Sequence, residues 1–152
     1  MELKFRDLKA DEIDARVQTV VTSKGVSLLL YKDARVDMDI LDETVGALNW
    51  QRRHSRDNAN CTVEIWDSDK KMWIAKEDTG TESNTEAEKS LASDSFKRAC
   101  FNWGIGRELY TAPFIWINNE NINIVDGKIK DKFDVGMIGI KDKVITDLEI
   151  YN

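Results

Sequence analysis

The chain has 152 residues, a single proline and a formal net charge of −6. That length fits one domain without long linkers, and the acid excess excludes a protein that coats nucleic acid with its whole surface. It leaves room for a local basic groove, because affinity depends on the few cations that face the phosphates. Residues 1–14 are charged and hold no apolar run, so no signal peptide is expected, and no segment is long enough to span a membrane. Cys61 and Cys100 fall in core positions and read as buried free thiols, which fits a reducing, cytoplasmic setting.

In chain order, residues 1–12 read as a short polar helix or an irregular arm. Residues 13–21 alternate around Ala15, Val17, Thr19 and Val21 and predict a strand. Ser23-Lys24-Gly25 predicts a turn, and residues 26–31 predict an apolar strand that completes a hairpin. Val36, Ile40, Leu41, Thr44, Val45 and Leu48 give a helical stripe over residues 34–48, with Gly46 near its end. Three strands follow: residues 49–56, then an alternation of Cys61, Val63 and Ile65, then residues 72–79. Their short connections favour antiparallel neighbours.

Residues 85–110 hold the clearest helical period in the chain. Leu91, Ser95, Ala99 and Trp103 lie on one stripe, flanked by Ala92, Phe96 and Cys100. Thr85 and Glu88 have the spacing of a capping box, and Gly104 marks the stop. The predicted class is α+β: a curved antiparallel sheet of hairpin plus three-stranded meander, backed by this long helix. Residues 113–152 carry no helical period. Asp126-Gly127 predicts a tight turn, and residues 135–140 and 144–150 a strand pair, so the tail reads as a small β-rich extension of a 1–112 core domain.

Catalytic patterns are sparse. There is no phosphate loop, no Cys/His metal cluster and no nucleophile-plus-base spacing, so no cofactor or metal is called for. Gly104-Ile105-Gly106 follows a helix, whereas a dinucleotide fingerprint must follow a strand. His54 is flanked by Arg52, Arg53 and Arg56 and reads as part of a polar strand face. Glu77, Asp78, Glu82 and Asp94 could hold Mg²⁺ in a nuclease, although Asp94 also has the spacing to pair with Lys97 and Arg98 along the helix. The candidate nucleic-acid contacts are Arg16, Arg52, Lys97, Arg98 and Arg107. Cations with aromatic neighbours suit single strands, whose phosphates need charge and whose bases can stack.

Asp94-Ser95-Phe96-Lys97-Arg98-Ala99-Cys100, followed by Trp103-Gly104-Ile105-Gly106-Arg107-Glu108-Leu109-Tyr110, resembles the helix signature of Rad-fifty-two-type single-strand annealing proteins. It is closest in form to their phage and prophage branch, which includes the Sak proteins. Ile13-Asp14-Ala15-Arg16-Val17, Gly46-Ala47-Leu48-Asn49-Trp50 and Lys76-Glu77-Asp78-Thr79-Gly80 extend the resemblance upstream over about residues 10–112. It implies a non-enzymatic, ATP-independent protein of phage recombination. Such a protein forms a homo-oligomeric ring or helical filament and holds single-stranded DNA in a basic groove with its bases exposed. It implies phosphate contacts from Arg16, Lys97 and Arg98, and a host single-strand-binding protein as a further partner in the bacterial cytoplasm. A further basic residue of the family, one turn after the Lys-Arg pair, falls here at Phe101. The competing expectations are a DNA-end-protecting accessory protein, a metal-dependent nuclease, and a phage structural or inhibitor protein.

Overall fold

The computed structural model describes residues 2–81, 87–126, 128–129 and 131–152, without the side chains of residues 87–89. The expected cap at residues 85–88, together with Glu82 and Gly127, lies outside that set. In chain order the elements are β1 (Asp14–Val21), β2 (Gly25–Tyr31), α1 (Ala34–Val45), β3 (Trp50–Ser55), β4 (Asn60–Asp67), β5 (Met72–Thr79), α2 (Ala87–Trp103), β6 (Ile115–Asn118), β7 (Ile124–Val125), β8 (Lys128–Ile129), β9 (Phe133–Lys141) and β10 (Val144–Tyr151). Short 3₁₀ turns cover Ala10–Glu12, Arg107–Thr111 and Asn119–Asn121. The α+β class, the hairpin, the meander, the backing helix and the strand-rich C-terminal region are all present. None of the helices among the described residues is long and apolar enough to cross a membrane.

The chain folds as two compact units, which do not follow the expected boundary at residue 112. One contains Met1–Arg6 and Ala34–Gly106, the other Asp7–Asp33 and Arg107–Asn152. The hairpin and the meander are therefore separate sheets, and the hairpin shares its sheet with the tail.

In the first unit β3, β4 and β5 form an antiparallel meander with β4 in the centre. Cys61, Val63 and Ile65 of β4 point to one face, as a strand's period of two requires, and all three are buried. α2 covers that face with Leu91, Ser95, Phe96, Ala99 and Cys100, the stripe its periodicity predicts. It ends in a Schellman motif: the Ile105 N–H donates to the Cys100 carbonyl at 3.1 Å and the Gly104 N–H to that of Phe101 at 2.9 Å. Gly104 has φ +104°, so an L side chain there would be strained. α1 is shorter than its sequence pattern. Gly46, at φ +90°, ends it at Val45, and Leu48 is left 92% exposed rather than in the core. Ile40 and Leu41 carry its burial.

In the second unit the strand order is β10-β9-β1-β2-β6, antiparallel throughout, with β7 and β8 as a separate small pair. Its core is Val26, Leu28 and Phe133, with Ala15, Val17, Ile115, Ile117 and Ile150 packed around them. β6 was not expected from sequence, yet it pairs with the first four residues of β2. Gly25 permits that approach, because a Cβ there would sit 2.1 Å from the Ile117 carbonyl oxygen.

Candidate nucleic-acid interface

The five candidate cations are divided between the units. Arg52, Lys97 and Arg98 belong to the first, Arg16 and Arg107 to the second.

In the first unit the period of two puts Trp50, Arg52 and His54 on the helix side of β3 and Gln51 and Arg53 on the other. The Arg52 guanidinium lies over the Phe96 ring, 4.5 Å from its centroid, and Trp50 packs on the same ring at 6.1 Å. Arg53 turns away and bonds the Glu64 carboxylate, which also accepts from Gln51. Those bonds, Gln51's first and Arg53's second, hold the Glu64 pKa below its usual value. Arg52 and Arg53 thus serve opposite faces, and only Arg52 is near α2.

Lys97 is half-buried and Arg98 exposed on α2. Arg98 Nε lies 3.5 Å from Asp78 Oδ1 on β5. Asp78 also accepts from the Asn102 amide at 3.2 Å and the Thr79 N–H at 2.7 Å. Asp94 does not bond along the helix as its spacing suggests. It accepts the Thr81 N–H at 2.7 Å and so ties the end of β5 to α2. Gly80 allows that closure, since a Cβ there would sit 2.6 Å from the Ser95 backbone nitrogen. Arg52 on one edge strand, β3, and Arg98 reaching from α2 to the other, β5, therefore mark the two edges of the meander.

Of the carboxylates considered as Mg²⁺ ligands, Glu77 and Asp78 point to opposite faces of β5, and Glu77 accepts from Asn60 and Thr62. Among the described residues no group of three or more His, Cys, Asp or Glu could hold a metal ion. His54 Nδ1 lies 3.4 Å from the Ser95 hydroxyl, which donates to the Asn58 carbonyl at 2.9 Å. Ser95 is fully buried, so this pair fastens the β3–β4 turn to α2 and does not present a nucleophile. Burial, and then the Arg52 charge, lower the His54 pKa. Burial raises the Cys61 pKa to about 11, and Cys61 and Cys100 are both buried free thiols.

In the second unit the Arg16 guanidinium lies 4.9 Å from the centroid of the Tyr31 ring. Arg16 pairs with Leu29 in the hairpin register, so Tyr31 is its diagonal neighbour across the strands. Arg107 is exposed at the start of its 3₁₀ turn. Among the described residues neither Arg16 nor Arg52 is paired with a carboxylate, and each rests on an aromatic ring. Neither ring, Tyr31 nor Phe96, is paired with its cation by the sequence pattern alone. The Arg16–Tyr31 diagonal depends on the register shift between Val17 and Thr19, without which the turn at residues 23–25 would set Arg16 opposite Leu30; the Arg52–Phe96 pairing depends on the placement of α2 on the sheet. Comparison of the chain with protein-family models, curated proteins and solved structures returned no match.

Proposed function

We propose that this protein binds single-stranded DNA and anneals complementary strands without ATP, as a homo-oligomeric ring or filament. The observation that carries the reading is the pair of ring-mounted guanidiniums, Arg16 on Tyr31 and Arg52 on Phe96, neither neutralised by a carboxylate among the described residues. A cation held on a ring is pre-oriented and keeps its charge for an external phosphate. The resemblance of the α2 segment to annealing proteins adds Lys97 and Arg98, with Arg98 having to leave or share Asp78 to reach a phosphate. Annealing needs phosphate repulsion reduced and the bases left free to pair. Many weak contacts repeated around an oligomer accomplish both. Among the described residues β3 and β5 are open edges of the meander, as β6 and β10 are of the larger sheet, and edges of that kind are natural sites for pairing between copies. The compartment this reading implies is the cytoplasm of a phage's bacterial host, where a host single-strand-binding protein would cover the same substrate.

The test is annealing of complementary oligonucleotides without nucleotide, alongside binding measured against salt. Arg16→Ala with Arg52→Ala should weaken binding and reduce the salt slope by about two phosphate contacts. Wild-type protein that binds single strands and shields their ends from nuclease but leaves the annealing rate unchanged would make it an end-protecting protein. Mg²⁺-dependent degradation of the strands would make it a nuclease.

A further inference from the structure

The face of the five-stranded sheet opposite its apolar core presents Trp116 of β6, Leu29 of β2 and Arg16 of β1 to solvent, with Ser27 buried between them. The register puts Trp116, Ser27 and Thr19 in one cross-strand row, and Leu29 beside Arg16 in the next. Phe114, two residues before Trp116, falls on the same side. Its ring and that of Trp116 lie 19° from parallel with centroids 6.4 Å apart, an offset stack. Phe114 is 80% exposed, and Trp116 and Leu29 are each 37% exposed. Gly25 leaves space beneath the indole, since a Cβ there would meet Trp116 at 3.0 Å. Two strands from Phe114, Arg16 stands on Tyr31 without an acid partner among the described residues.

We infer that this sheet face is a base-stacking platform for single-stranded DNA, with the Phe114–Trp116 pair taking bases and Arg16 taking a neighbouring phosphate. The inference rests on the proposed single-strand binding but adds a contact of different chemistry, built from the tail strand β6. Flat exposed rings accept any nucleobase through its π-face, and a lone cation at their side supplies charge complementarity to the chain that joins the bases. An apolar interface between copies would leave Arg16 unmatched. Asp14 and Asp134 face each other across β1 and β9 on the same side of the sheet. They repel phosphate there, so the strand runs along β6 and β2 and does not cross toward β9.

The experiment titrates the full chain with a dye-labelled oligothymidylate and with an abasic oligonucleotide of equal length, at several salt concentrations. Wild type should prefer the thymidylate. Phe114→Ala with Trp116→Ala should lose about ten-fold in thymidylate affinity with an unchanged salt slope, and should lose that preference. Phe114→Ala alone, at an exposed position, gives the same direction without a folding cost. Asp14→Asn should tighten binding. Equal affinity of the double variant and wild type, with Arg52→Ala still weakening binding, overturns the platform and leaves the proposed function standing. No binding of either oligonucleotide by wild type at low salt removes both. Loss of the oligomer's mass in the double variant, without DNA present, would assign the face to contacts between copies and overturn the inference.

Discussion

The guanidinium of Arg52 lies 4.5 Å from the centre of the Phe96 ring. Phe96 is fully buried, so a charged side chain rests directly on the apolar core that joins α2 to the meander. Arg52→Ala should cost about 0.5–1 kcal/mol of stability through the lost stacking and should lower the salt slope of single-strand binding by about one. Arg52→Lys should keep the slope and lose most of the stacking. Phe96→Ala should cost about 3–5 kcal/mol, because the cavity lies at the centre of the packing. Urea unfolding gives the stabilities, and fluorescence anisotropy across salt concentrations gives the slopes.

Gly25→Ala tests the junction of β2 with β6. The new methyl would fall 2.1 Å from a backbone oxygen of Ile117, which has no flexible side chain to move aside. The pairing should open, with a loss of about 1–3 kcal/mol. Trp116 emission should shift to the red as β6 leaves the sheet. An unchanged urea midpoint would mean that β6 does not pair as described.

Glu108 is fully buried, and its Oε2 accepts the Leu8 N–H at 2.9 Å with Lys143 Nζ at 3.8 Å. Lys143 also lies 3.1 Å from Asp7 Oδ1. Lys143→Met would remove a cation from a carboxylate already out of water and should cost about 3–5 kcal/mol. Glu108→Gln keeps an acceptor for Leu8 and removes the buried charge. The double variant should therefore be less destabilised than the sum of the singles, in a thermal-unfolding cycle.

Cys61 gives a pH signature. Its folded pKa is raised from about 9 to about 11, so the native state resists losing the thiol proton. Its contribution to stability is whole below about pH 9 and is lost as pH rises through about 11. Cys61→Ala should flatten the stability curve over that interval. In the wild type, alkylation of Cys61 at pH 8 should be slow and should speed up on adding urea.

The parts of the fold that sequence reveals are those whose neighbours in the chain are neighbours in space. The β3–β4–β5 meander and the α2 stripe follow from alternation and helical period, because each strand pairs with the next and the helix returns over them. The joining of β1 to β9 and of β2 to β6 leaves no local mark, and β6 is only four residues long. Leu48 fits the α1 stripe by spacing, yet Gly46 stops the helix first. The contacts of the candidate cations are of this second kind. The diagonal of Arg16 and Tyr31 depends on the one-residue register shift between Val17 and Thr19, which the hairpin turn does not set. The attachment of Arg98 to Asp78, and of Asp94 to Thr81 instead of Lys97 or Arg98, depends on where the helix lands on the strand.

The division of the chain has a consequence for synthesis. Residues 34–106 are contiguous and lie between the two stretches that build the five-stranded sheet. On a ribosome the meander and α2 can assemble while the β1–β2 hairpin waits with its two outer edges unpaired. β6 reaches β2 first, and β9 and β10 arrive last. A stop codon after Ala112 would therefore remove three of the five strands of that sheet and leave the hairpin with two bare edges. Such a fragment should aggregate through those edges while its middle segment remains folded.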